Sequence, residues 1–351
     1  MPPDTSHQNC FDVFRLVFAG MVLWAHVWLI GGFGSDWFAR SSRDQVYLAE
    51  VGVLGFFAIS GFLVADSYTR SSSAWSFLRR RVLRIFPGFY ANLLVSALVI
   101  GPLIWMVSTG GLSSYPWFGP QGGFHYIFVN AGLVIKAWSV GLPPNPDALD
   151  GALWSLALEF ACYLALLFVG LCGALNRQRI YLLIITAGLG IYYVMRTSVE
   201  GISYPLLPTY VVLGPMHYVV AFLVGACCRA FRESLKFDMK IALLLGVILL
   251  GLAKFGGWRI GAPFILPLFI LHVAHGFSMR LRHDLSYGIY IYHWPVAKLL
   301  VLWPLVSKSL PVFLATNVMV TLVLATGSWW FVERHFLPRH QAPAADAVVG
   351  G

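Results

Sequence analysis

Apolar residues along this chain run in stretches of about 20, broken by short gaps that hold most of the Lys and Arg. A helix rises 1.5 Å per residue, so about 20 apolar residues carry it across the hydrocarbon of a bilayer. Ten stretches meet that length: roughly 11 to 31, 46 to 66, 85 to 107, 151 to 174, 179 to 196, 209 to 228, 240 to 256, 259 to 279, 286 to 305 and 311 to 333. The pattern predicts an all-α fold, a polytopic transmembrane helical bundle of about ten spans. The longest gap, 108 to 150, is rich in Gly, Pro and aromatics, among them Tyr115, Pro116, Trp117, Pro143, Pro144 and Pro146. It reads as a large loop with a re-entrant piece at 124 to 140. Residues 338 to 351 read as a disordered cytoplasmic tail, which leaves 1 to 337 as one membrane domain without an internal repeat.

Composition sharpens that picture. Asp, Glu, Lys and Arg make up only 11% of the residues and 58% are hydrophobic, whereas soluble domains carry about 25% charged residues. A cytosolic enzyme, a disordered chain and a disulfide scaffold are excluded together. The net charge of +9 does not indicate nucleic acid, because the basic residues sit between apolar runs and not on one soluble face. With the N-terminus inside, fifteen Lys and Arg fall in the inner connections and seven in the outer ones, so both termini are expected in the cytoplasm. Five cysteines without a CxxC pair or zinc spacing read as buried free thiols. The opening MPPDTSHQNC lacks a basic signal region, and the apolar run after it contains Arg15. The first span is therefore expected to be retained.

Ionisable groups inside a bilayer are costly, which makes each a functional candidate. Arg15 and His26 in the first span are eleven residues apart, close to three full turns, so they share a face about 16 Å apart along the axis. A snorkelling Arg and a core His are the bland alternative. In the fourth span Ser155, Glu159 and Tyr163 fall at i, i+4 and i+8. Counted from the outer ends of their spans, Glu159 and His26 lie at similar depth. A carboxylate beside the imidazole would suit general-base catalysis, and a buried structural pair is the other reading. The loop after the second span holds Arg79, Arg80, Arg81 and Arg84, whose planar forks suit phosphate, although a topology signal alone would also explain them. Ser60 and Gly61 lie just before it, where a glycine admits a ligand or a neighbouring helix. The ninth span carries Tyr290, His293 and Lys298. His272 and His275 form an i, i+3 pair with no second pair at matching depth.

Six segments in order, FDVFRLVFAGMVLWAH (11 to 26), FFAISGF (56 to 62), RRRVLRIFPGFY (79 to 90), WSLALEF (154 to 160), SYGIYIYHWPV (286 to 296) and FVER (331 to 334), together resemble acyltransferase family 3. These are integral-membrane O-acyltransferases of bacterial surface glycans. The resemblance implies a multi-pass protein of the bacterial inner membrane that moves an acyl group, with acetyl expected, from acyl-CoA to a carbohydrate hydroxyl at the outer side. Acyl-CoA is then a co-substrate, the lipid bilayer and the glycan are the other partners, and neither a metal nor nucleic acid is implied. His26 and Glu159 take the catalytic roles. Arg15, Arg79, Arg80, Arg84, Ser60, Gly61 and His293 take donor binding. Phe160 and Leu54 stand where relatives often carry an acidic residue. General-base action and an acyl-histidine intermediate both remain open at this point. A transporter of a glycan precursor is the rival reading, since buried charge also marks a transport pathway, and a structural subunit would leave His26 unexplained.

Overall fold

The computed structural model describes residues 10 to 141, 148 to 175, 178 to 198 and 215 to 336, apart from 278, 280 and 282. Ten long helices coincide with the ten apolar stretches. They are α1 Phe11–Ile30, α2 Leu48–Thr69, α3 Ala74–Thr109, α4 Trp154–Leu171 and α5 Arg179–Ser198, then α6 Met216–Ala230, α7 Met239–Phe255, α8 Trp258–Gly276, α9 Ser286–Leu300 and α10 Leu310–Phe336. Hydrocarbon offers no partner for a bare backbone, so a helix, which pairs its own N–H and C=O groups, is what such stretches must form. Seven of the ten are long and apolar enough to cross a membrane on their own, and α6, α7 and α9 are shorter. The chain is a multi-pass membrane protein with an all-α fold. The expected start of the sixth span at 209 and the expected tail at 338 to 351 lie outside the described residues.

Helix α2 is buried from end to end and packs between α1 and α6. Glycines make this close approach physically feasible. Gly52 and Gly55 face Phe18 of α1, and a Cβ on Gly61 would collide with the backbone carbonyl of Phe222 in α6. Gly225 of α6 returns the contact on the carbonyl of Ala58. Gly61 is therefore a packing residue, which corrects its expected place in donor binding. Gly61→Ala is expected to destabilise the bundle by about 1–3 kcal/mol, the usual cost of overpacking, read as a lower Tm in detergent.

Helix α9 sits at the centre with almost every side chain from Ser286 to Lys298 buried. Its Pro295 has no N–H, which orphans the carbonyl of Ile291 four residues earlier. Asn92 of α3 supplies the missing donor through Nδ2 at 2.6 Å. Asn317 of α10 donates to the carbonyl of His293 at 3.2 Å. Two neighbouring helices thereby fix the rotation of α9 about its axis.

Three expectations change. The arginine stretch is not a loop, because Ser73 accepts from the N–H of Ser76 and starts α3 at Ala74, and the helix continues through Pro87 for 36 residues. The piece expected at 124 to 140 is helical only at Gly123–Asn130. Asn130 then binds the backbone of Lys136 and Ala137 and folds the chain back. All five cysteines are free, but Cys172 is exposed where burial was expected.

Candidate active site

Helix α1 presents Arg15 near one end and His26 near the other, and each lines a different cavity. The arginine cavity is narrow, about 60 Å³, room for a handful of waters. Arg15, Arg81, Arg84, Ser60, Glu159 and Tyr287 are among its walls. Asp284, in the connection before α9, binds Arg84 at 3.0 Å and Arg15 at 3.4 Å through one carboxylate oxygen. Its other oxygen accepts from the N–H of Ser286 at 3.1 Å and from the Ser286 hydroxyl. Burial alone would raise the carboxyl of Asp284, but the charges of Arg84 and Arg15, with hydrogen bonds from Ser286 and Arg84, outweigh it and hold the pKa at about 2. The native pKa lies below the unfolded one, so the stability from this contact is present above about 4 and fades only as pH falls toward 2. The pair of arginines is therefore held together throughout the neutral range.

Helical phase decides which arginines arrive. Arg81 and Arg84 are one turn apart on α3 and face the cavity, with the Arg81 guanidinium 5.7 Å from the Tyr163 ring. Arg79 points to the exposed side. Arg80 binds the hydroxyls of Ser76, at 3.0 Å, and Ser71. Of the four arginines in this stretch, Arg81 and Arg84 line the cavity, and Arg79 and Arg80 do not.

The second cavity, the histidine cleft, occupies about 1140 Å³. His26, Trp28, Glu50, His217, Trp258 and Arg259 are among its lining residues. His26 Nδ1 lies 2.7 Å from Nε2 of His293. Hydrogen bonding fixes the tautomers. His293 Nδ1 faces the carbonyl of Ile289 at 3.1 Å, and a carbonyl only accepts, so that nitrogen carries the proton. Nε2 of neutral His293 is then an acceptor, and it takes the Nδ1–H of His26. The lone pair of His26 is left on Nε2. The indole of Trp294 packs edge-on against the His26 ring, 4.6 Å between centroids, and is itself tied to the carbonyl of Ala148 at 3.0 Å.

Glu159 does not meet His26. Its carboxylate accepts from Ser60 Oγ at 2.8 Å and from the hydroxyl of Tyr163. Helix α4 packs on α2 and α3, so equal depth in the membrane does not bring the two side chains together. The partner of His26 is His293, which therefore sits beside the histidine of α1 and not among the residues lining the arginine cavity. Phe56 and Tyr290 line the arginine cavity, with ring centroids 5.5 Å apart and planes at 73°. The Tyr290 hydroxyl is held by Ser155 Oγ at 2.7 Å and by the carbonyl of Ala152 at 3.1 Å, and its ring lies 6.1 Å from that of His293. His272 and His275 are bound by backbone groups, Asp238 and Leu271 respectively.

Sequence reasoning missed Asp284 and Tyr290 as parts of the site, and it did not separate Arg81 from Arg79 and Arg80. A charged residue two positions before an apolar span was the available signal for Asp284. For Arg81 it was the turn that separates it from Arg84.

Two guanidiniums clasped around one carboxylate, and an imidazole with a defined free lone pair, form a site that can hold an anionic carrier at one end and accept a proton at the other. Relatives fit that chemistry. The chain is 30% identical over 328 residues to nodulation protein 10 of Rhizobium leguminosarum bv. viciae, covering 85% of each chain. It is 27% identical over 359 residues to an O-acetyl transferase of Shigella phage Sf6, covering 95% of this chain and 97% of the relative. A shorter match, 31% over 120 residues, links 33% of this chain to 27% of acyltransferase MdmB of Streptomyces mycarofaciens. No solved structure matches. The family model described as an acyltransferase domain matches residues 8–333, and the chain accordingly belongs to acyltransferase family 3.

Proposed function

We propose that this acyltransferase moves an acetyl group from acetyl-CoA on the cytosolic side to a hydroxyl of a glycan at the outer side of a bacterial inner membrane, with both termini in the cytoplasm. The observation that carries this reading is the His26–His293 pair, which leaves Nε2 of His26 unprotonated at the edge of a large cleft while the arginines converge at the other end of α1. Acetyl supports itself on the relative described as an O-acetyl transferase. The side assignment rests on the excess of Lys and Arg in the connections at the arginine end.

In this mechanism Arg15, Arg81 and Arg84 bind the phosphates of the donor. The pantetheine arm runs past Tyr290 toward His26. His26 Nε2 takes the proton of the acceptor hydroxyl as its oxygen attacks the thioester carbonyl carbon. The carbon–sulfur bond breaks, and the leaving sulfur takes that proton back from the imidazolium. The products are the acetyl ester and free coenzyme A, and His26 is neutral again. His293 keeps Nδ1–H engaged, so the ring cannot present the wrong nitrogen. Glu159, bound to Ser60 and Tyr163, shapes the donor channel in place of orienting His26.

Arg81→Lys with Arg84→Lys tests donor binding. Lysine keeps the positive charge that sets topology and loses the planar fork. The apparent KM for radiolabelled acetyl-CoA is expected to rise about tenfold, the effect of a lost charge-assisted hydrogen bond, with the acceptor KM unchanged. Arg80→Lys is expected to behave as wild type, because Arg80 is occupied by Ser71 and Ser76. Unchanged donor dependence in the double variant would return these arginines to a topological role.

A further inference from the structure

The histidine cleft holds a cluster of groups that the acyl-transfer step does not use. Glu50 opens α2, His217 lies in the first turn of α6 and Arg259 in the first turn of α8, so three helices aim their ends at one spot. Glu50 is 3.9 Å from His217, and Arg259 is close enough to act on its charge. Beside them, Trp258 is only 6% exposed, and its indole N–H is buried without a hydrogen-bond partner among the described residues. The indole N–H of Trp28, also on the cleft wall, is in the same condition. An indole nitrogen can only donate, and a buried donor left unmade is costly. Both therefore call for an oxygen that the described residues do not provide.

Resting on the acyl-transfer reading, we propose that Glu50, Arg259 and Trp258 form the acceptor subsite and that its ligand is an uncharged pyranose residue. The chemistry of the wall selects that class. A sugar hydroxyl donates and accepts at once, and the subsite offers both: the Glu50 carboxylate accepts, while the indole and guanidinium N–H groups donate. The rings of Trp28, Tyr47 and Trp258 supply flat apolar surface for the C–H face of a pyranose. Among the charged residues lining the cleft, Asp36 and Asp44 outnumber Arg259, so a carboxylated sugar meets repulsion that a neutral one does not. Fixing one ring in this subsite brings a single hydroxyl of it to Nε2 of His26, on the same cleft wall.

The test uses the purified protein in detergent with neutral hexose oligosaccharides and length-matched oligouronates. Sugar binding is followed by quenching of tryptophan fluorescence without donor, and transfer by label from radioactive acetyl-CoA. Neutral oligosaccharides are expected to quench and to be labelled. Glu50→Gln and Trp258→Phe keep shape and ring but lose one charge or one N–H. Each is expected to raise the acceptor KM about tenfold, with donor KM and kcat at saturating acceptor within about twofold of wild type. Preference for oligouronates, absence of quenching by neutral sugars, or an acceptor KM unmoved in both variants would overturn the subsite. Failure of acetyl-CoA to bind or to lose its acetyl group would instead overturn the donor reading, and quenching, which needs no donor, keeps the two outcomes apart.

Discussion

His26→Ala is expected to lower kcat for acetyl transfer by about 100-fold to 10,000-fold, the usual loss when a positioned general base is removed. The donor KM should stay within about twofold, because the arginines that grip the phosphates sit at the far end of α1, about 16 Å away by helical rise. The bundle should survive. His26 is only half-buried, and its ring contacts are with His293 and Trp294 at the edge of a cleft. Label from radioactive acetyl-CoA in purified protein, with Tm measured alongside, reads both quantities. Transfer at a near-normal rate would end the proposed mechanism, whatever the fate of donor binding.

His293→Ala is the second large effect, expected at about 100-fold in kcat with both KM values little changed. Alanine removes the only side chain shown to accept the Nδ1–H of His26, so the ring can turn its protonated nitrogen to the acceptor. Removing a group that orients a reacting imidazole typically costs 10-fold to 100-fold, as for the partners of metal-bound histidines. His293→Gln separates orientation from mere bulk. Its amide oxygen can accept from Nδ1–H, and recovery of at least about tenfold over the alanine variant is expected. A raised donor KM with kcat intact would place His293 back in donor binding, the role given to it under the family resemblance.

These two residues also mark how far the chain could be read without coordinates. Arg15 and His26 stood out because apolar neighbours make any ionisable group there costly, and their spacing of eleven fixed a common face. Hydropathy located all ten helices for the same reason, since backbone in hydrocarbon has no alternative to helix. Contacts between helices were another matter. Depth along the membrane normal is one coordinate of three, so Glu159 and His26 matched in depth yet belong to helices that α2 and α9 keep apart. The arginine run failed for a different cause. Its low hydrophobicity concealed a helix that Ser73 and Ala74 begin well before the apolar part of α3, and without that helix there was no phase to prefer Arg81 over Arg79. Asp284 could be noticed only as a charge at the edge of an apolar span, because nothing in a sequence announces that one carboxylate will sit between two arginines 200 and 269 residues away.

The aromatic contact of Phe56 with Tyr290 has a meaning for the cell's energy supply. An enzyme that reaches both faces of a membrane is at risk of becoming a pore, and a continuous file of water from the arginine cavity to the histidine cleft would conduct protons and run down the gradient that drives ATP synthesis. Two rings packed at 73°, one of them anchored through its hydroxyl to Ser155 and Ala152, would interrupt that file. In the proposed reaction the pantetheine arm would displace these rings as it enters and fill the gap itself, whereas hydronium would have to shed its hydration to pass them. In the transfer proposed above, an apolar plug of this kind is what would keep the membrane electrically tight.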